Sequence, residues 1–356
     1  QGSAAATPTP HPMLRELLWW ACFGITCLVS APFLCSVCPQ KRHIHRLQGG
    51  PVLQDAPPQT AALVPPRPAV SSEQQAPPQT KSLLPEFYRG PWGTGSHPAL
   101  RIFGTSTCKR YRNSVPADTR IPAVAGLLNT GTHLMDKLLR SNCRMEGHRR
   151  WLDQVPWGKH NPLGLRDSLR FPTFAGKFEQ ILPVTMVKDP LTWMKSMCQN
   201  PYGARIHGCT RHSSCPSVPV AATNVTIEWG GARNPDKART LTYPSLVHLW
   251  SDWYQAYVDA DIPRLMVRYE DLLFDTERTV GAICSCVGGK ALTARFHGIT
   301  ERAKKQWYDN SSDRAGALAM YSSSEYRLGG YTPADLDFIR ITAGELPRQF
   351  GYDSFA

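Results

Sequence analysis

Hydrophobic and polar positions divide the chain into three unlike stretches. From Leu17 to Cys38 the side chains are apolar or small and none is charged. At about 1.5 Å per residue such a helix spans a bilayer core, and Pro32 kinks it without forbidding it. From 39 to 97 the pattern dissolves into Pro, Gln, Ala and Ser, with Ala-Pro-Pro-Gln-Thr at 56–60 and again at 76–80. A segment of this kind buries too little apolar surface to fold, and its prolines keep it extended. Beyond 98, apolar runs alternate with helical spacings. Val124-Ala125 and Ile181–Val187 read as the ends of buried strands. Leu134, Leu138 and Leu139 share one face of a helix, and a second helix is predicted over Leu191–Asn200. Leu246, Trp250, Trp253, Tyr254 and Tyr257 repeat at helical spacing and predict core. Residues 201–242 are polar and rich in Gly, Pro and Asn, which reads as an insertion. The expectation is an α/β fold with a parallel sheet flanked by helices, in one domain of about 255 residues.

This gives an organisation of a short tail at 1–16, a membrane span at 17–38, a stem at 39–97 and a folded domain at 98–356. Two readings of the apolar span stand side by side. One is a signal-anchor that stays in the membrane; the other is a signal peptide removed by cleavage. The length of the run and the lack of a clean small-x-small cleavage site favour the anchor. Its flanks point the other way, because Lys41, Arg42 and Arg46 follow it whereas Arg15 alone precedes it. The positive-inside rule then leaves the downstream domain in the cytoplasm. Against this stand two glycosylation triplets, Asn224-Val225-Thr226 and Asn310-Ser311-Ser312, and a cysteine-bearing domain. These favour a luminal domain. Of the 11 cysteines, Cys209 and Cys215 flank a polar loop and suggest a short disulfide-closed loop, while Cys284 and Cys286 fall in a helical pattern and read as core packing.

The most informative segment is Val124 to Leu134. An apolar strand ends in a small, polar turn and a helix begins. Backbone N–H groups and the helix dipole there favour an anion. Gly126 and Gly131 have the G-x-x-x-x-G spacing of a phosphate loop, but Thr132 and His133 stand where a nucleotide triphosphatase carries Lys and Ser/Thr. A second strand ends in Lys188-Asp189-Pro190, with Ser196 two turns into the following helix, so that Lys188 and Ser196 can face one phosphate. Both turns lie at carboxyl ends of predicted parallel strands, where α/β folds bind ligands. Between them lies Pro156-Trp157-Gly158-Lys159-His160, a loop carrying a cation beside a group suited to proton transfer near neutrality.

Together these segments resemble the sulfotransferases that use 3′-phosphoadenosine 5′-phosphosulfate. Asn129-Thr130-Gly131-Thr132 is similar to that family's 5′-phosphosulfate loop, usually Lys-Ser/Gly-Gly-Thr. Lys188-Asp189-Pro190 with Ser196 is similar to its 3′-phosphate motif. Val267-Arg268-Tyr269-Glu270-Asp271-Leu272-Leu273 resembles its R-Y-E-D-L strand and turn, and Phe350-Gly351-Tyr352 its usual close. The resemblance covers roughly residues 98–353. It implies a P-loop-like sheet, donor contacts from Asn129, Thr130, Gly131, Thr132, His133, Lys188 and Ser196, and transfer of a sulfuryl group to an acceptor hydroxyl, as on a carbohydrate. His160 is then the candidate base and Lys159 the candidate cation, at the position where cytosolic members carry Lys-x-His. The Golgi branch often uses Glu, which keeps Glu146 and Glu179 as alternatives. Anchor, stem and single domain match a single-pass type II Golgi membrane protein. Two departures mark the chain: Asn129 replaces the loop lysine, and Lys188 replaces an arginine, keeping charge but losing the bidentate fork. The first leaves open a catalytically weak or inactive relative that binds a nucleotide or glycan. No metal is demanded. A net charge of +12 suits a polyanionic donor, and the absence of a basic run with interleaved aromatics argues against a nucleic-acid partner.

Overall fold

The computed structural model describes Pro85, Tyr88 and residues 100–146, 152–169, 176–210, 216–230, 235–298 and 314–352, all within one compact unit, Gln75–Ala356. The span predicted at 17–38, nearly all of the stem at 39–97, Asn310 and Cys215 lie outside the described residues. Among the described residues, no helix is long and apolar enough to cross a membrane.

The folded chain begins with strand β1 (Ile102–Phe103) and helix α1 (Thr107–Ser114), then β2 (Ile121–Gly126), α2 (Thr132–Asn142) and the short β3 (Cys143–Arg144). Next come β4 (Ile181–Val187), α3 (Pro190–Gln199), β5 (Arg205–Ile206), β6 (Val225–Trp229), β7 (Arg239–Tyr243) and α4 (Leu246–Asp259). They are followed by β8 (Leu265–Arg268), α5 (Tyr269–Phe274), α6 (Thr276–Val287) and β9 (Lys290–Ala291). Four helices close the described chain: α7 (Arg314–Ser322), α8 (Ser324–Leu328), α9 (Pro333–Ala343) and α10 (Leu346–Gln349). The main sheet has the order β1-β8-β4-β2, with β8, β4 and β2 parallel and β1 antiparallel on the edge. The fold is therefore α/β with a mixed, mostly parallel sheet. The segment read as an insertion carries a small antiparallel sheet, β5-β6-β7. β5 is two residues long and all five residues of β7 are exposed or half-buried, so neither shows a clear alternation, whereas Val225, Ile227 and Trp229 of β6 alternate inward and were legible.

Helices on both faces explain why β4 reads as an unbroken apolar run: all seven of its residues are buried. Leu182, Val184 and Met186 join Val124, Leu265 and Val267 in a core under α1, α2 and α6. Ile181 and Val187 turn the other way and join Ala123, Ala125 and the helices α3 and α4. The α4 stripe is core as its spacing predicts, and Trp250, Tyr254 and Tyr257 are completely buried. Each such ring contributes about 1.5–3 kcal/mol of burial. Tyr88, from the stretch assigned to the stem, is also fully buried and meets Tyr352 edge-on.

The cysteines differ from expectation. Cys209 bonds Cys198, not Cys215, so the link runs from the last turn of α3 to the insertion. Cys284 and Cys286 are not simple core packing: Cys284 bonds Cys143 and Cys286 bonds Cys108. Residues two apart on a helix project at about 200° to each other, so one short stretch of α6 reaches two different elements. The three disulfides among the described residues suit a luminal or secreted environment, outside the cytosol.

Candidate functional site

Register brings the site together before any side chain is considered. Gly126 pairs with Met186 across β2 and β4, and Val187 pairs with Arg268 across β4 and β8. The three parallel strands thus end level, and the turns at Leu127–Gly131 and Lys188–Asp189 meet the start of α5 at Tyr269–Glu270 along one edge of the sheet.

In the first turn, Asn129 adopts a left-handed backbone (φ 64°), which Asn tolerates better than most residues. Gly131 is left-handed too (φ 84°) and caps α2 with no side-chain bond of its own. A Cβ on Gly131 would stand 2.6 Å from a ring carbon of Tyr269, so the close approach of loop and ring requires glycine. The Thr130 hydroxyl donates to Leu127 O at 2.7 Å and closes the turn from within, and Trp193 Nε1 donates to Leu128 O at 2.8 Å. The Asn129 amide is committed to the end of α3. Its Nδ2 donates to Ser196 O (3.1 Å) and Asn200 O (2.8 Å), carbonyls at the end of α3. It therefore clasps the two phosphate-type motifs to each other. Thr132 is buried and His133 exposed, both in the first turn of α2.

In the second turn, Asp189 caps α3 by accepting from Leu191 N (2.8 Å), with Pro190 preset for the first helical position. Lys188 is buried, and its Nζ donates to Ser196 Oγ at 2.7 Å. The eight-residue spacing thus places the two groups in direct contact. The ammonium also lies 5.2 Å from the Tyr269 ring centre and 5.1 Å from that of Tyr321. Burial pulls its pKa down to about 8, against the pull of Glu270 and Asp189. Glu270 is buried, accepts from Asp189 N (3.2 Å) and from the Tyr352 hydroxyl (2.7 Å), and is pushed up to about 7, chiefly by desolvation and then by Asp189. Asp189 also binds Arg327. Arg268 forks onto Asp271 at 2.8 and 2.6 Å and reaches Tyr88 O and Gly351 O. The aromatic stripe of α4 supports this edge with its polar tips: Trp250 Nε1 donates to Lys188 O, Tyr254 to Met186 O and Trp253 Nε1 to His160 O.

The loop of Lys159 and His160 runs beside β2, with Gly126 N donating to Lys159 O at 2.7 Å. His160 Nδ1 meets Gly126 O at 2.7 Å. A carbonyl only accepts, so in the neutral ring Nδ1 carries the proton and Nε2 the lone pair. Lys159 Nζ lies 3.0 Å from His133 Nε2. Both residues adjoin the turn after β2. The two alternative acids stand elsewhere. Glu179 is exposed just before β4, a strand-length of about 20 Å from the Lys188 end. Glu146 is exposed beyond α2, about 16 Å of helix away from the turn.

Tyr321, Arg327 and Tyr352 escaped the sequence reading as site residues. Tyr321 and Arg327 belong to late helices whose short patterns carry no signal of what they cover. Tyr352 gave a hint only through the closing Phe-Gly-Tyr. No protein-family model matches the chain, and neither does any curated protein or solved structure.

Proposed function

We propose that the protein is a sulfotransferase that moves a sulfuryl group from 3′-phosphoadenosine 5′-phosphosulfate to an acceptor hydroxyl, as on a carbohydrate. One observation carries this reading. A buried ammonium, Lys188, rests on Ser196 at 2.7 Å, in a motif clasped by Asn129 to a glycine turn at a helix start. A desolvated cation with depressed basicity favours an anionic partner. The lack of a Cβ at Gly131 lets the Tyr269 ring pack against the loop and holds the turn beside Lys188. These residues fit a nucleotide with phosphate groups at both ends, and the mostly parallel sheet suits a P-loop-like architecture.

In this reading Lys188 and Ser196 hold the 3′-phosphate, and the N–H groups of Thr130 to His133 hold the 5′ end. His160 Nε2 takes the acceptor's proton as its oxygen bonds to sulfur. The sulfur–oxygen bond to the 5′-phosphate breaks, and its electron pair leaves with adenosine 3′,5′-bisphosphate. Lys159 supplies positive charge where that oxygen departs. Fixed strand-end turns supply orientation. The disulfides support a luminal site of action, and a type II Golgi enzyme combines this with the apolar span at 17–38. Amidase treatment of protein from glycosylating cells should then shift its mass, with the shift reduced in Asn224→Gln.

A second reading has its own support. The Asn129 amide is committed to the end of α3 and carries no charge, which suits a weak or inactive binder of a nucleotide or glycan. Calorimetric titration tests both. Adenosine 3′,5′-bisphosphate should bind at least ten-fold more tightly than AMP or ATP. Equal affinities would remove the assignment, and tight binding with no sulfuryl transfer across a glycan panel would favour the binder.

A further inference from the structure

The site has a feature that sulfuryl transfer by itself does not require: a lysine from one loop resting on a histidine of the helix opposite. Lys159 Nζ and His133 Nε2 are 3.0 Å apart. An ammonium only donates, so Nε2 is the acceptor and the imidazole is neutral with its proton on Nδ1. His133 is exposed in the first turn of α2, and its backbone is fixed by a helix whose other side is core. Lys159 has a fixed backbone too, because its carbonyl accepts from Gly126 N at 2.7 Å. A lysine side chain has four rotatable bonds and, unrestrained, spreads its charge over many positions. A contact at 3.0 Å to a residue on a rigid helix narrows that spread to one place beside the turn.

Asn129 makes this placement matter. Its side chain carries no charge, and its amide is used on Ser196 O, Asn200 O and the Met197 sulfur. Any cation at the 5′ end must come from another segment, and Lys159 sits in the neighbouring loop with its ammonium on a first-turn residue of α2.

We infer that His133 is a positioning residue: it holds the Lys159 ammonium at the start of α2, where that charge replaces the one missing from Asn129. This rests on the sulfotransferase reading above. His133 acts through Lys159, so the effects of losing either should not add.

The test is equilibrium binding of adenosine 3′,5′-bisphosphate to the full chain and to four variants: His133→Ala, His133→Gln, Lys159→Ala and the His133→Ala/Lys159→Ala double variant. Lys188→Ala serves as a control for the nucleotide's other end. His133 is exposed, so its substitution leaves the core packing in place, and circular dichroism checks the fold. His133→Ala and Lys159→Ala should each weaken binding by about ten-fold. The double variant should be no weaker than Lys159→Ala alone, since the pair works as one unit. His133→Gln, whose amide oxygen still accepts from an ammonium, should stay within about two-fold of wild type. Additive losses in the double variant, or a His133→Gln loss as large as that of His133→Ala, would overturn the positioning role. So would a His133→Ala variant that binds like wild type. If Lys188→Ala still weakens binding in any of those cases, the donor assignment survives without this inference. No bisphosphate binding by wild type would overturn both.

Discussion

At Lys188, burial and chemistry are tied together. The ammonium lies against both the Tyr269 and Tyr321 rings, bonds Ser196, and feels Glu270 and Asp189. With its pKa down to about 8, it is charged below that pH and increasingly neutral above it. A phosphate binds the charged form. Affinity for adenosine 3′,5′-bisphosphate should therefore fall as pH rises from about 8 to about 9.5, by up to about ten-fold per unit, as calorimetry across that range will read. Lys188→Arg should remove the fall, because a guanidinium stays charged throughout. His160 gives the complementary expectation. In the sulfotransferase reading, Nδ1 stays on Gly126 O and the Nε2 lone pair is the one offered to the acceptor. His160→Ala should cost about 10²–10⁴ in turnover, measured with labelled donor and a glycan acceptor, while bisphosphate affinity holds within about three-fold. Turnover near wild type would move the base elsewhere.

At the scale of elements, the site edge is held by paired buried charges that replace hydrophobic contact where two turns meet the start of α5. The Arg268–Asp271 fork joins the end of β8 to the first turn of α5, and the same guanidinium reaches Tyr88 O and Gly351 O. One side chain thereby ties both ends of the described domain to the middle of its sheet. Such a pair is not in itself a large source of stability, but a broken one leaves a charge in the interior. Asp271→Asn should lower unfolding free energy by about 3–5 kcal/mol in urea titrations. A loss below about 1 kcal/mol would mean that the two carbonyls and water satisfy Arg268 without it. Gly131 shows the same economy of space: Tyr269, which flanks Lys188, occupies the volume that a Cβ would need. The loop and the β8–α5 junction are therefore fitted to each other.

For the whole molecule, the bonds from α6 are the long-range constraint. Cys108–Cys286 and Cys143–Cys284 close separations of 178 and 141 residues. They bind α1 and the end of α2 to α6, all on one face of the main sheet. Loops this long give a cross-link a large effect on the unfolded chain, typically about 2–4 kcal/mol for a bond. Cys284→Ser/Cys286→Ser should unfold at a clearly lower temperature than wild type, and reductant should lower the wild-type midpoint toward that of the variant. A midpoint insensitive to reductant would mean that packing of α6 carries that face without covalent help.

Residues close in sequence determined much of this molecule. Val124–Leu134 announces a strand, a tight turn and a helix, because apolar run, glycine and amphipathic spacing fall within one short window. Lys188 and Ser196 are eight apart on a strand end and a helix, so local geometry alone makes them neighbours. The α4 stripe was legible for the same reason, since helical period and burial are one pattern. Tertiary structure decided what depends on separation along the chain. Cysteine spacing does not encode connectivity, and Cys209 met Cys198 because α3 ends where the insertion begins. The position of Asn129 in the loop suggested a nucleotide contact, but the way its amide faces depends on where α3 stops. Tyr321 reaches Lys188 from far along the chain, and Lys159 meets His133 only because its loop runs back along β2. The sequence supplied the two phosphate-type motifs as separate local structures; only the shared edge of a parallel sheet, with all three strands ending level, made them one site.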